Sequence, residues 1–103
     1  TTEPVIPSGP ITLTSLENLG GGKVKLIWEA EGSFVDGFNV VWATTNPEPA
    51  YPNDYWVYFG NGNNRSAVVD VKLANVYFFK VCEFIRSRGT CENYSNAEAI
   101  AVN

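Results

Sequence analysis

From residue 23 to residue 30 the side chains alternate, with Val24, Leu26 and Trp28 on one parity and Lys23, Lys25 and Glu29 on the other, broken only by Ile27. A period of two is the mark of a strand that buries one face and wets the other. The same period returns in residues 38–44, where Phe38, Val40 and Trp42 oppose Asn39, Val41 and Ala43. It returns again in residues 76–85, where Tyr77, Phe79 and Val81 oppose Phe78, Lys80 and Cys82. Turn residues punctuate these runs at Gly20-Gly21-Gly22, Gly60-Asn61-Gly62-Asn63-Asn64, Asn75 and Arg86-Ser87-Arg88-Gly89. With further extended runs at 11–20 (kinked near Ser15), 55–59, 65–71 and 94–102, and no helix-period segment, the expectation is all-β: a seven-stranded antiparallel β-sandwich.

At 103 residues the chain is long enough for one core and too short for two. Residues 1–9, with Pro4 and Pro7, read as an extended Pro-rich arm, and residues 10–103 as the sandwich domain. Hydrophobic residues at 45% and charged ones at 17% exclude intrinsic disorder. The net charge is −4, and the seven Lys and Arg stand singly, so no basic stripe exists to neutralise phosphates. Nucleic acid and anionic membrane surfaces are therefore not expected as partners. No apolar run reaches the roughly 18 residues of a bilayer span, so no membrane insertion is expected. The N-terminus lacks a basic and a hydrophobic stretch, and the chain reads as a mature protein or an excised module.

The absence of histidine removes triads of the Ser-His or Cys-His kind. Cys82 and Cys91 match no complete metal site but suit a bridge across a β-hairpin, which implies an oxidising compartment; a free-thiol pair is the alternative. Glu31, Asp36 and Asp54 flank two loops, yet no Asp-x-Asp-x-Asp-Gly run that would mark a calcium loop occurs. The chain is expected to be no enzyme and to hold no metal or cofactor.

Residues 11–102 resemble a fibronectin type III module. That family carries a core Trp in a pattern like Val24-x-Leu26-x-Trp28 and an aromatic pair like Phe38-x-Val40-x-Trp42. Val71, then Tyr77-x-Phe79-x-Val81, is similar to its sixth strand, which implies that the Tyr77 hydroxyl bonds back to the backbone at a corner. Cys82, Gly89-Thr90-Cys91 and Tyr94-Ser95-Asn96 look like bacterial or archaeal extracellular modules that clip their last hairpin. The resemblance implies a fibronectin type III/immunoglobulin-like fold with Trp28, Phe38, Trp42, Tyr77 and Val81 in the core. Two departures are the long Pro-rich loop before Tyr55 and the lack of Arg-Gly-Asp, which removes integrin binding.

The aromatic cluster Tyr51, Tyr55, Trp56, Tyr58 and Phe59 is the most suggestive functional feature, because rings hold sugars and anchor protein interfaces. Trp56 and Tyr58 share one face and Tyr55, Val57 and Phe59 the other, and either set can be the core one. If Tyr77, Phe79 and Val81 point inward, then Val41, Ala43 and Phe78 face outward beside Trp56 and Tyr58 as an apolar strip, which favours contact with protein, including copies of itself. The expected function is a non-catalytic extracellular or cell-surface structural or adhesive module, self-assembling through this face and the arm. The alternatives are a carbohydrate-binding accessory module that stacks sugar on Tyr51, Trp56 and Tyr58, and a passive spacer of a larger secreted protein. Asn64-Arg65-Ser66 and Asn93-Tyr94-Ser95 are glycosylation triplets in expected turns.

Overall fold

The alternation of the sequence becomes strand wherever a turn lets the chain double back. In the computed structural model, which describes residues 9–103, β1 (Ile11–Gly20) and β2 (Lys23–Ala30) form the first hairpin. Gly21 and Gly22 close it at φ of 63° and 83°, a left-handed pair open to glycine at no steric cost and matched to the twist of the flanking strands. The kink expected near Ser15 is a register shift between Leu13 and Ser15. The arm expected over residues 1–9 falls outside the described residues except for Gly9, whose N–H donates to Glu31 O at 2.6 Å.

The remaining strands are β3 (Phe38–Ala43), β4 (Tyr55–Phe59), β5 (Ser66–Asp70), β6 (Asn75–Ile85), β7 (Thr90–Glu92) and β8 (Glu98–Val102). They divide into two antiparallel sheets, one ordered β1-β2-β5 and one ordered β4-β3-β6-β7, with β8 also pairing β6. Apolar residues of both sheets meet in one core. Val24, Leu26, Trp28, Ala67 and Val69 come from the smaller sheet, and Phe38, Val40, Trp42, Tyr77, Phe79 and Val81 from the larger. Each fully buried large apolar side chain among them contributes about 1.5–3 kcal/mol. This is an all-β layout consistent with a β-sandwich.

The strand count is eight, not the seven expected, because Thr90–Glu92 forms a short extra strand before the expected last one, which itself runs only over Glu98–Val102. Both β7 and β8 pair the edge of β6 away from β3, β7 against Glu83–Ile85 and β8 against Asn75–Phe79. Between them Asn93 turns to φ 55°. There Ser95 N–H donates to Val81 O at 2.8 Å, while Val81 N–H donates to the Ser95 hydroxyl at 2.9 Å instead of to a backbone carbonyl. A buried side-chain oxygen stands in for a ladder position, so pairing is satisfied without regular strand geometry. Asn96 acts similarly across the sheets: its Oδ1 accepts from Leu13 N–H at 2.9 Å and its Nδ2 donates to Leu13 O at 3.1 Å.

At the corner before β6 the Tyr77 hydroxyl donates to Leu73 O at 2.6 Å. Cys82 and Cys91 are disulfide-bonded, with Cα atoms 5.7 Å apart, and join β6 to β7. Among the described residues no helix is long and apolar enough to cross a membrane.

Candidate functional site

The Pro-rich connection from β3 to β4 is closed by its own polar groups. Asp54 Oδ2 accepts from Ala50 N–H at 2.9 Å and from Asn46 Nδ2 at 3.1 Å, while Asp54 N–H donates to Ala50 O at 3.0 Å. The folded loop then reaches onto the outer face of the larger sheet. Glu48 pairs with Lys80 at 3.0 Å, Tyr51 N–H donates to the Tyr94 hydroxyl at 3.0 Å, and the Lys80 ammonium lies 5.4 Å from the Tyr94 ring centre. The Tyr51 ring meets Trp56 at 4.9 Å and Phe84 at 5.9 Å, both edge-on, and Pro49 is fully buried.

Val41 stands in register between Lys80 and Trp56, so a loop that grips both neighbours roofs it. This corrects the expected interaction strip: Val41 and Ala43 are buried, Phe78 and Tyr58 are half-buried, and Trp56 alone of the five is exposed, at 44%. Three prolines were legible as stiffness, but not as a cover. β3 is buried on both faces, and Asn39, in register between Cys82 and Tyr58, has both side-chain polar atoms lacking a partner among the described residues.

The expected sugar platform of Tyr51, Trp56 and Tyr58 does not form a plane. Tyr51 and Trp56 stand at 75° to each other, and Phe84 meets Tyr58 at 61° and Tyr51 at 78°. Edge-to-face packing suits ring quadrupoles. It also leaves these rings at steep angles to one another, without a shared flat surface for a pyranose. The Tyr58 hydroxyl donates to Asp36 O and accepts from Arg86 Nη2 at 3.4 Å. That hydrogen bond, followed by the Tyr58 charge interaction and then the Asp36 carboxylate, holds the Arg86 guanidinium above its usual range.

What remains open is β4. Its inner parity (Tyr55, Val57, Phe59) faces the core side in register with Trp42, Val40 and Phe38, but the smaller sheet ends at β5 and does not cover it. Tyr55 is 68% exposed and Val57 38%, beside Trp56. Tyr55 stacks at 19° on Trp42, their centres 6.0 Å apart, and the pair walls a cleft of about 720 Å³ that continues to Val57, Tyr77 and the exposed Leu73. Sequence reasoning left open which face of residues 55–59 is buried and did not single out Leu73 as surface. The available signal was a strand of five apolar or aromatic residues lacking a charge, next to a loop too long for a tight hairpin.

The clipped hairpin is braced at its tip. Arg88 Nη1 meets Glu92 Oε2 at 2.7 Å, and the Thr90 hydroxyl donates to the same carboxylate at 2.9 Å. The Thr90 bond first, and the Arg88 bond second, hold the Glu92 carboxyl below its ordinary value of 4.5. Of the two glycosylation triplets, Asn93 is exposed but its Nδ2 donates to Gly9 O at 2.7 Å, while Asn64 is half-buried in the turn before β5. Among the described residues no group of three or more His, Cys, Asp or Glu could hold a metal ion. Asp36 accepts from Arg86 N–H at 3.0 Å, and Asp54 is occupied within its loop. No protein-family model matches the chain, and no curated protein matches it.

Proposed function

We propose that this chain is a non-catalytic structural or adhesive module of the fibronectin type III kind, working outside the cell or at its surface and contacting other proteins through β4. One observation carries the reading. Among the described residues β4 is a sheet edge with no strand paired on its outward side, and Tyr55, Trp56 and Val57 stand exposed in a row along it. Such an edge is a template for an added strand, and exposed rings beside it supply anchors.

The disulfide-clipped hairpin and the Tyr77 hydroxyl bond to Leu73 O support the family and the oxidising compartment. With no histidine in the sequence and both thiols oxidised, neither an imidazole base nor a thiolate nucleophile is at hand. A second reading, carbohydrate binding, is favoured by one feature: the largely exposed Tyr55 ring above a cleft edged by Thr44, Asp70 and Asn75. Isothermal titration against a glycan panel separates the two. No heat with any glycan is the result expected of a protein-contact module. Saturable heat that is lost in Tyr55→Ala would overturn the protein-contact reading in favour of sugar.

A further inference from the structure

Four sheet edges are available to a partner, and three are spoiled for regular pairing. β1 carries two register shifts and is bridged by Asn96 at Leu13. β5 ends in Asp70 and turns at once through Lys72 at φ 70°. The edge formed by β7 and β8 is broken at Asn93 and Ser95. β4 alone of the four combines an unshifted register with the absence of charge and proline, so it lacks the bulge, the charge and the proline by which natural proteins blunt an edge.

We propose that β4 pairs antiparallel with β4 of a second copy about a two-fold axis through Val57, an assignment that rests on the protein-contact reading above. The strand Tyr55-Trp56-Val57-Tyr58-Phe59 is nearly symmetric about its centre. In this register Val57 faces the second copy's Val57, Tyr55 its Phe59 and Trp56 its Tyr58. Ring therefore meets ring at every outer position, the cross-strand pairing that antiparallel sheets favour. Asp54 falls opposite Gly60, so no like charges are opposed along the seam.

Paired residues share parity, which places the two-fold axis normal to the sheet and runs the inner face of one copy into the inner face of the other. Tyr55 and Val57, left uncovered by the shorter sheet, then gain neighbours from the second copy. A slip of one residue would instead set Tyr55 against the second copy's Tyr58 and turn the open inner parity onto the roofed face, leaving it uncovered.

Sedimentation velocity of the non-reduced full chain over a concentration series tests this, with Val57→Lys as the principal variant. The expected result is a concentration-dependent dimer that Val57→Lys reduces to monomer, because two ammonium groups would oppose each other on the axis. Tyr55→Lys, at a more exposed position, repeats the test should Val57→Lys melt early by circular dichroism. Val57→Cys, with the native disulfide kept, should oxidise to a covalent dimer joined at residue 57. A chain that stays monomeric at millimolar concentration, or a dimer that survives both lysine substitutions, overturns the proposal. Monomer without glycan binding leaves the protein-contact reading standing with a different partner; monomer with glycan heat lost in Tyr55→Ala overturns both.

Discussion

The roof over the outer face makes Tyr51→Ala the most informative single change. The ring meets Trp56 at 4.9 Å and Phe84 at 5.9 Å, both edge-on. Each such contact is worth about 0.5–1.5 kcal/mol beyond the area it buries. Tyr51 is half-buried, and losing that burial adds roughly 1 kcal/mol, taking half of the lower range for a large side chain. The sum is about 2–4 kcal/mol. For a domain near 100 residues this corresponds to a melting temperature lower by roughly 10–20 °C. Thermal melts followed by circular dichroism measure it, with Tyr51→Phe, which keeps the ring, expected to melt with the wild type. Hydrogen exchange should also quicken around Val41, which the loop covers. If Tyr51→Ala melts with the wild type and Val41 stays protected, the loop is not what buries the outer face, and the explanation for the lost apolar strip falls.

Two further outcomes follow from the last third of the chain. Reducing the disulfide between Cys82 and Cys91 releases a nine-residue separation, which on the loop-entropy model costs about 2.6 kcal/mol at 25 °C. Melts with and without reductant should differ accordingly, and identical melts with both thiols shown free would mean that the hairpin is held elsewhere. Asn96→Ala removes both side-chain bonds to the backbone of buried Leu13 and should cost about 1–3 kcal/mol in urea denaturation. Asn96→Asp keeps the acceptor for Leu13 N–H but sets a carboxylate against Leu13 O and Glu98 Oε2, to both of which Asn96 Nδ2 donates, and should be no more stable than the alanine variant. An alanine variant as stable as the wild type would show that β1 does not need this bridge.

Parity was the legible part of this fold. The inward set Val24, Leu26, Trp28 and Phe38, Val40, Trp42 follows from alternation alone, and the two sheets close on it. The kink at Ser15 and the hairpin tip at residues 86–89 were legible because they rest on local chemistry. Parity carries no information about what lies above a face, however. The roof depends on Glu48 reaching Lys80 and Tyr51 reaching Phe84, residues more than thirty positions away, and no local pattern encodes such contacts. The split between β7 and β8 was hidden for a related reason: the Ser95 hydroxyl imitates a backbone acceptor, and a side chain that does so looks in sequence like any polar residue of an alternating strand.

The location of the open surface is a consequence of unequal sheets. β7 and β8 share one edge of β6, so the larger sheet is four rows wide; three strands cannot cover four rows, and the one left over is the inner face of β4, where Tyr55 and Val57 stand. On the other face the loop covers the sheet from Lys80 as far as Trp56 and stops there. Both coverings end at the same strand, so among the described residues β4 is where a partner of the proposed kind would meet apolar side chains and free backbone groups together. The roof contributes a second effect, because Tyr51 packed on Trp56 holds β4 in place before any partner arrives. A strand already ordered loses less freedom on pairing than one that must be ordered by it. Tyr51→Ala should therefore weaken association at β4 although Tyr51 lies off the seam, whereas Asn96→Ala, with a comparable loss of stability on the opposite side of the molecule, should leave that association unchanged.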